Sequence, residues 1–375
     1  MRWIWVVVVA GGLWATPVCA QEPPPARRAT LSGFVTDAET GERLPGAHLY
    51  ALPLRAGTVT NEYGFYSLTL PADSVVVRVS YLGYRTRILA LRLRTDRELD
   101  VELEPAAVGL GEVEVAAERA EESVTSTQMS VAALPIEEVK ALPAFLGEVD
   151  VIKALQLLPG VQSGTEGSTG LYVRGGGPDQ NLILLDGAPV YNASHVFGFL
   201  SVFNADALQS VRLVKGGFPA RYGGRLSSVV DLGMKEGNLK AYQADGTLGV
   251  VFSSLTAQGP IRKDRAAFIV SARRTYIDVL ARPFLNRRLA DGQRLTSYFY
   301  DASAKLNAAL TRRDRLYLSL YLGRDVYGST VETVDRTRTP ARRDRITGGA
   351  DWGNVTATLR WNHLFSNTLF ANTTL

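Results

Sequence analysis

In the last third of the chain, several stretches place an apolar residue at every second position. Tyr298, Tyr300, Ala302, Ala304 and Leu306 alternate with Phe299, Asp301, Ser303, Lys305 and Asn307. Leu316, Leu318, Leu320 and Leu322 alternate with Arg315, Tyr317, Ser319, Tyr321 and Gly323, and Val355, Ala357, Leu359 and Trp361 with Asn354, Thr356, Thr358, Arg360 and Asn362. A period of two belongs to strands with one apolar and one polar face. Repeated in segments of about ten residues, it is the signature of membrane β-strands. A soluble sandwich alternates too, so a secreted β-sandwich protein that binds carbohydrate or protein stays open. The outward face discriminates: only a barrel in lipid keeps it uniformly apolar and flanked by aromatic girdles.

The connections favour the barrel. Short ones (Pro260 to Asp264, Thr311 to Asp314, Phe365 to Asn367) alternate with long ones (Ile277 to Thr296, Asp325 to Gly353). Short periplasmic turns and long extracellular loops give that rhythm. The run Leu239 to Gln258 is long for one strand and could be two, reversing near Asp245-Gly246, a dipeptide suited to tight hairpins. Residues 239–375 therefore carry six or seven strands.

The start of the chain says where such strands would go. Arg2 precedes an apolar run from Trp3 to Leu13, and Pro17-Val18-Cys19-Ala20 ends in small residues suited to cleavage before Gln21. Thr16-Pro17-Val18 is a poor approach to a lipidated cysteine, so ordinary cleavage is the expectation. Cys19 is the only cysteine, which leaves the mature chain without disulfides or thiolate metal ligands. No segment holds 18 consecutive apolar residues. An exported chain without membrane helices can cross a membrane only as a closed barrel, because open sheets leave backbone groups unsatisfied in lipid. The net charge of +4 is too small to argue for nucleic acid.

After a linker over 21–29 with Pro23-Pro24-Pro25, residues 30–104 read as a small all-β domain. Turn signals at Asp37 to Gly41, Asn61 to Gly64, Pro71 to Asp73 and Gly83 are spaced for a seven-stranded sandwich. Val75, Val77, Val79 and Tyr81 lie on one face of one strand. The segments Leu31 to Asp37, Thr40-Gly41-Glu42, Leu44 to Ala47, Thr60 to Tyr66 and Val79 to Tyr84 resemble the carboxypeptidase regulatory-like domain. That module carries no peptidase chemistry, and His48 has no metal-ligand spacing around it.

Residues 105–238 mix helical and strand signals. Ile136 to Ala141, preceded by Pro135, and Val149 to Leu158, stopped by Pro159-Gly160, have helical spacing. Strands are expected at Leu171 to Arg174, Asn181 to Leu185 and Ser210 to Lys215. Leu171 to Gly176, Asn181 to Val190 and Val211 to Gly224, continued through Ser227 to Leu232, resemble in order and spacing the plug of TonB-dependent receptors. The positions carrying this likeness include Arg174, Gly175, Gly176, Asp186, Gly187, Lys215, Gly216, Arg221, Tyr222 and Gly223. Arg174, Asp186, Lys215 and Arg221 could pair with a barrel's polar inner wall or with other groups in the plug.

The resemblance implies a mainly β chain: a β-sandwich, then an α+β plug over 131–238, then the first strands of an antiparallel transmembrane barrel of about 22 strands. It implies active uptake of a scarce ligand across the outer membrane, with plug and sandwich facing the periplasm. Leu110-Gly111-Glu112-Val113-Glu114-Val115 resembles the segment that engages TonB by strand addition, with Leu110, Glu112, Val113, Glu114 and Val115 as contact candidates. An ordinary first plug strand remains the alternative there. The stretch from Ala116 to Ser130 reads as a tether. Expected partners are TonB, outer-membrane lipid and a small or oligomeric ligand (siderophore, glycan or peptide), and a lipoprotein lid stays open. A signalling role through an anti-sigma regulator ranks lower, since the N-terminal module resembles a different domain. Six or seven strands cannot close a barrel of that kind, so the sequence is expected to be incomplete.

No enzyme chemistry is expected. Gly175-Gly176-Gly177 lacks the Lys-Ser/Thr of a phosphate loop, and Gly109-x-Gly111 lacks its third glycine. His48, His195 and His363 lie in three different zones, with His195 expected as a loop or packing residue beside Phe197 and Phe199. No cofactor or metal site is expected.

Overall fold

The valines of the stretch Ser74–Ser80 set the packing of the first part of the chain. In the computed structural model, which describes residues 27–52, 54–106, 130–142, 149–164, 168–276, 278–280, 293–335 and 342–375, Val75, Val77 and Val79 are all buried on one face of that strand. Each such side chain contributes about 1.5–3 kcal/mol through burial. Strands β1 (Arg28–Asp37), β2 (His48–Leu52), β3 (Ala56–Val59), β4 (Phe65–Pro71), β5 (Ser74–Ser80), β6 (Arg87–Arg92), β7 (Arg97–Glu98) and β8 (Val101–Leu103) form two four-stranded sheets. One has the order β3-β2-β5-β6; the other pairs β4, β7 and β8 with β1. Leu31, Val35, Leu49, Leu68, Leu70 and Leu103 join the valines in a single core.

The sandwich has eight strands rather than the expected seven, and β7 and β8 run parallel to β1. The reason lies in the residues between them. Asp96 accepts from the Thr30 amide and Asp100 from the Phe34 amide, both at 2.8 Å, while the Leu99 carbonyl accepts from Tyr66 Oη at 2.6 Å. Leu99 thus bulges against β1, where a Cβ on Gly33 would lie 2.1 Å from its carbonyl oxygen. Only glycine fits that approach.

The second core belongs to a five-stranded sheet of order β13-β12-β17-β16-β9. Its strands are β9 (Val131–Pro135), β12 (Asn181–Leu185), β13 (Ala188–Pro189), β16 (Leu208–Val214) and β17 (Ser228–Met234). Two-residue strands β10 (Val161–Gln162), β11 (Tyr172–Val173), β14 (Ser194–His195) and β15 (Leu200–Ser201) form small hairpins beside it. β12 and β17 are parallel, Leu182 opposite Val229 and Leu185 opposite Leu232, and their near-continuous apolar runs suit a sheet covered on both faces. Helices α1 (Ile136–Lys140) and α2 (Val151–Gln156) pack Val139, Ile152 and Leu155 into this core. α2 starts later than its spacing predicts, because Asp150 is the N-cap: its Oδ1 accepts from the amides of Ile152 and Lys153 at 2.9 and 3.2 Å.

The last part is one antiparallel meander of seven strands. These are β18 (Gln243–Leu248), β19 (Phe252–Arg262), β20 (Ala266–Thr275), β21 (Gln293–Ala309), β22 (Asp314–Asp335), β23 (Arg342–Ser366) and β24 (Leu369–Thr374). Two expectations are corrected. The first hairpin does not turn at Asp245-Gly246, which sit within β18 opposite Thr256 and Leu255. It turns between Leu248 and Phe252, where the Gly249 amide donates to the Phe252 carbonyl at 2.9 Å and Tyr276 Oη binds both the Gly249 and Phe252 carbonyls. Nor is Asp325 to Gly353 a loop: β22 and β23 pair without a break from Asp325 opposite Trp352 to Asp335 opposite Arg342. Opposed Val331–Ile346 and Glu332–Arg345 pairs sustain that ribbon.

The faces of the meander are inverted relative to a soluble sandwich. Leu306 opposes Leu318, which opposes Leu359, and Leu320 and Leu322 oppose Ala357 and Val355, all on the outward side. Leu320 and Val355 are 45% and 86% exposed, whereas Asp301, Lys305, Asn307 and Asn362 on the other face are buried. Apolar side chains face out and polar ones face in, against the second core. Aromatic residues flank the apolar band, with Trp361 and Phe365 at one edge and Tyr298 and Tyr300 at the other. Asp314, bound to Trp361 Nε1 at 3.1 Å, and the exposed Arg324–Asp351 pair mark its limits. From Asp314 to Arg324 a strand rises about 34 Å, or about 26 Å across a barrel wall tilted by about 40°, against an apolar band about 25 Å tall in membrane barrels.

Substituting Gly33→Ala drives a methyl group into the Leu99 carbonyl and is expected to cost the sandwich about 1–3 kcal/mol. In the intact chain, hydrogen exchange should speed up in β1, β4 and β8 while the amides of β12 and β17 stay protected.

Candidate functional site

The buried polar groups concentrate where the plug-like core meets the inner face of the meander. The first joint grows from a tight hairpin. Asp186 and Gly187 join β12 to β13 with φ of 49° and 89°, the pair of positive values a type I′ turn demands. This turn carries the Asp186 carboxylate into the wall. Oδ2 accepts from Ser319 Oγ at 2.6 Å and lies 3.0 Å from Lys305 Nζ. Oδ1 accepts from the Met234 amide at 3.0 Å, and the Asp186 carbonyl accepts from Arg360 Nη2 at 2.9 Å. Burial alone would raise the carboxyl pKa. The charges of Lys305 and Arg360 and the hydrogen bonds of Ser319 and Lys305 outweigh it and hold Asp186 below its ordinary value.

The second joint is built on His195, at the end of the short hairpin of β14 and β15. Its Nε2 lies 2.6 Å from Asp301 Oδ1 and its Nδ1 2.6 Å from Asp325 Oδ2. The ring stacks on Phe299 at 4.1 Å with planes 7° apart. Asp301 also accepts from Tyr321 Oη at 2.9 Å, and Arg273 Nη2 lies 2.5 Å from its Oδ2 while donating to the Ser201 carbonyl at 2.8 Å. A neutral imidazole can donate through one nitrogen only, so two carboxylate partners call for imidazolium. Burial pulls the His195 pKa down, but the hydrogen bonds and charges of Asp301 and Asp325 outweigh it and raise it to about 9. His195 and Arg273 then balance Asp301 and Asp325.

Smaller contacts line the same seam. Asn204 Nδ2 donates to Ser271 Oγ at 2.8 Å and Asn354 Nδ2 to the Asn192 carbonyl at 2.9 Å. Arg315 meets Glu236 at 3.4 Å, and Asn307 Nδ2 donates to the Glu236 carbonyl.

The residues singled out by the sequence divide. Asp186 reaches the wall. Arg174 donates to Ser130 Oγ at 3.0 Å, and Lys215 to the Pro159 carbonyl at 3.1 Å, so both stay within the plug-like part. Arg221 pairs instead with Glu62 of the first sandwich, and Tyr222 Oη donates to Asp231 Oδ2 at 2.8 Å. Gly175 and Gly176 form the turn after β11, Gly187 completes the Asp186 hairpin, and Gly216 and Gly223 lie in the connection between β16 and β17. The leader, and Leu110, Glu112, Val113, Glu114 and Val115, lie outside the described residues. His195 was expected to pack in a loop and proves instead to hold two wall carboxylates. The signal for it was the wall: Asp301 and Lys305 share the polar parity of β21, and an inward charge needs a partner.

Among the described residues, no group of three or more His, Cys, Asp and Glu side chains is arranged to hold a metal ion, and no helix is long and apolar enough to cross a membrane. The arrangement can hold two bodies together through exchangeable polar contacts.

Two family models match parts of this chain. A family model for the CarboxypepD_reg-like domain matches residues 31–115, and one for the TonB-dependent Receptor Plug Domain matches residues 123–230. No curated protein matches. Among solved structures, the siderophore receptor PirA from Acinetobacter baumannii is 18% identical over 65% of this chain and 46% of its own, with a TM-score of 0.38. The ferric enterobactin receptor PfeA from Pseudomonas aeruginosa is 15% identical over 68% of this chain and 45% of its own, with a TM-score of 0.38. The outer membrane transporter YddB from Escherichia coli is 13% identical over 65% and 42%, with a TM-score of 0.37. The chain spans less than half the length of these three.

Two outcomes test the seam. Asp186→Ala leaves the Lys305 ammonium buried without its carboxylate and is expected to cost about 3–5 kcal/mol, whereas Asp186→Leu with Lys305→Met costs far less; denaturant unfolding of the intact chain compares them. The His195 pKa lies above the free value of about 6.5, so its stabilisation is full below that pH and is lost as pH rises through about 9. Wild-type stability should fall across that window relative to His195→Asn, in melting temperatures recorded from pH 6 to pH 10.

Proposed function

We propose that this chain, which belongs to the TonB-dependent receptors by its plug domain and carries a CarboxypepD_reg-like domain ahead of it, serves in active uptake of a scarce ligand across the outer membrane. The observation that carries this reading is the inverted meander. Its outward apolar band suits lipid, and its inward polar face is occupied by the plug through Asp186 and His195. Such a plug blocks free diffusion, so a ligand passes only when polar contacts at the seam are exchanged. Work from the inner membrane, delivered through TonB, supplies the energy for that exchange.

In this reading, residues 1–20 direct export and residues 239–375 begin the barrel. The plug and the N-terminal sandwich face the periplasm, where the turns at Arg265 and Arg313 lie. The segment Leu110 to Val115 engages TonB by adding a strand. The ligand itself is set by the loops on the opposite side.

Two experiments test this. Deleting residues 110–115 should abolish energised accumulation of ligand by cells while leaving surface binding intact; retained accumulation would sink the role given to the segment. Leu320→Arg places a cation at mid-band on the lipid face and should cost about 2–4 kcal/mol of folding stability in lipid vesicles. A change within about 0.5 kcal/mol, the range of ordinary surface substitutions, would mean that this face never meets lipid.

A further inference from the structure

The stretch Thr60 to Tyr66 belongs to the motif that identifies the first sandwich, yet only part of it serves that domain's fold. Tyr66 is buried in the sandwich core, and Asn61 Oδ1 accepts from the amides of Tyr63 and Phe65 at 2.9 and 3.0 Å, which fixes the turn. Glu62 and Tyr63 point elsewhere, and Phe65, which meets Phe34 of β1 at 5.4 Å, also reaches beyond the sandwich. Glu62 Oε1 lies 2.5 Å from Arg212 Nη2 and also binds Arg221. Arg212 sits on β16 of the plug sheet and pairs in turn with Asp231 on β17 at 2.8 Å. On the other side of the same turn, Tyr63 Oη accepts from Asn372 Nδ2 at 2.7 Å, and the rings of Tyr63 and Phe65 stack on Phe370 at 5.5 and 5.3 Å. Asn372 and Phe370 are on β24, paired with Asn362 and Leu364 of the inward face. The guanidinium of Arg360 lies over the Tyr63 ring at 5.1 Å and also binds the Asp186 carbonyl.

One turn of the sandwich therefore grips the plug with a carboxylate and the barrel wall with two rings. A second turn supports it. The Ala38 carbonyl accepts from Lys240 Nζ at 2.6 Å, the Thr40 carbonyl from the Leu239 amide at 2.8 Å, Glu42 from the Gly237 amide at 2.9 Å, and the Arg43 carbonyl from Gln209 Nε2 at 2.7 Å.

We propose that the CarboxypepD_reg-like domain is a bolt, docked on the plug–barrel seam through Glu62, Tyr63 and Phe65, that holds the plug against the wall in the resting receptor. The plug cannot move away from the wall without breaking one arm of this staple. Release of the sandwich accompanies every plug rearrangement, and charge at position 62 controls it. The inference rests on the reading of residues 131–238 as a plug that moves during uptake, but the docking itself is measurable without ligand or energy.

The test is a distance measurement in the full mature chain, in lipid vesicles. Spin labels are placed on Ile88→Cys in β6 and Leu310→Cys in the turn after β21, both exposed and outside the interface. One narrow distance distribution is expected. Glu62→Arg, which sets a cation against Arg212 and Arg221, should broaden it at least two-fold, and adding Arg221→Glu should recover at least half of the broadening. Glu62→Gln should broaden it by less. Heat-modifiable gel mobility checks that the barrel of each variant remains folded. A broad distribution in the parent chain would overturn the proposal, as would a narrow one unmoved by Glu62→Arg combined with Tyr63→Ala. Because nothing in the measurement depends on transport, failure of the uptake reading would leave its result standing.

Discussion

A sheet one layer thick, apolar outside, leaves its inner polar groups with nothing of its own to bind. Asp301 and Lys305 on β21 point to the same side of one strand, four residues apart and buried. A buried charge without a partner costs several kcal/mol. The wall of this protein therefore depends on a second body that brings opposite charges to fixed places. The plug does so with two short hairpins, one ending in Asp186 and the other in His195. Each is placed by backbone geometry before its side chain is used: the type I′ turn for Asp186, the β14–β15 hairpin for His195.

The character of these contacts suits a part that must hold and also yield. Within the plug, Ile152, Leu155, Val211 and Leu232 form a continuous apolar core. Across the seam the joints are mostly hydrogen bonds and ion pairs, with few apolar contacts such as Tyr321 and the His195–Phe299 stack. Polar contacts can be exchanged for water as the parts separate, because water satisfies the same donors and acceptors. An apolar seam would lose its whole burial term instead. The sandwich adds a further polar clamp on the plug at Glu62, while its hold on the wall adds the stacked rings of Tyr63 and Phe65.

Much of this was legible in the sequence where period and turn chemistry speak locally. The alternation over Leu316 to Leu322 placed one face outward, and the strand signals of the plug segments placed β11, β12 and β16. What failed were signals whose meaning depends on partners distant in sequence. Asp-Gly reads the same at 186 and at 245, but only the first turns the chain; at 245 the pairing of β18 with β19 and the grip of Tyr276 on Gly249 move the turn elsewhere. His195 looked like packing because Asp301 and Asp325 lie 106 and 130 residues away. Glu62 looked like part of a module's motif because Arg212 and Arg221 belong to another part of the chain. The ribbon over Asp325 to Gly353 was hidden because its length fitted the rhythm of short turns and long loops, although opposite charges such as Glu332 and Arg345 face one another across it.

The most direct test of the account is a scan of oxygen accessibility along β22 in lipid vesicles, with a spin label at each position from 316 to 322 in turn. Oxygen dissolves in lipid, so the account predicts a period of two, with high collision rates at 316, 318, 320 and 322 and low rates at 317, 319 and 321, where the plug lies. A flat profile, or one in which a water-soluble nickel relaxant collides freely with the even positions, would contradict it and return these strands to a soluble sandwich.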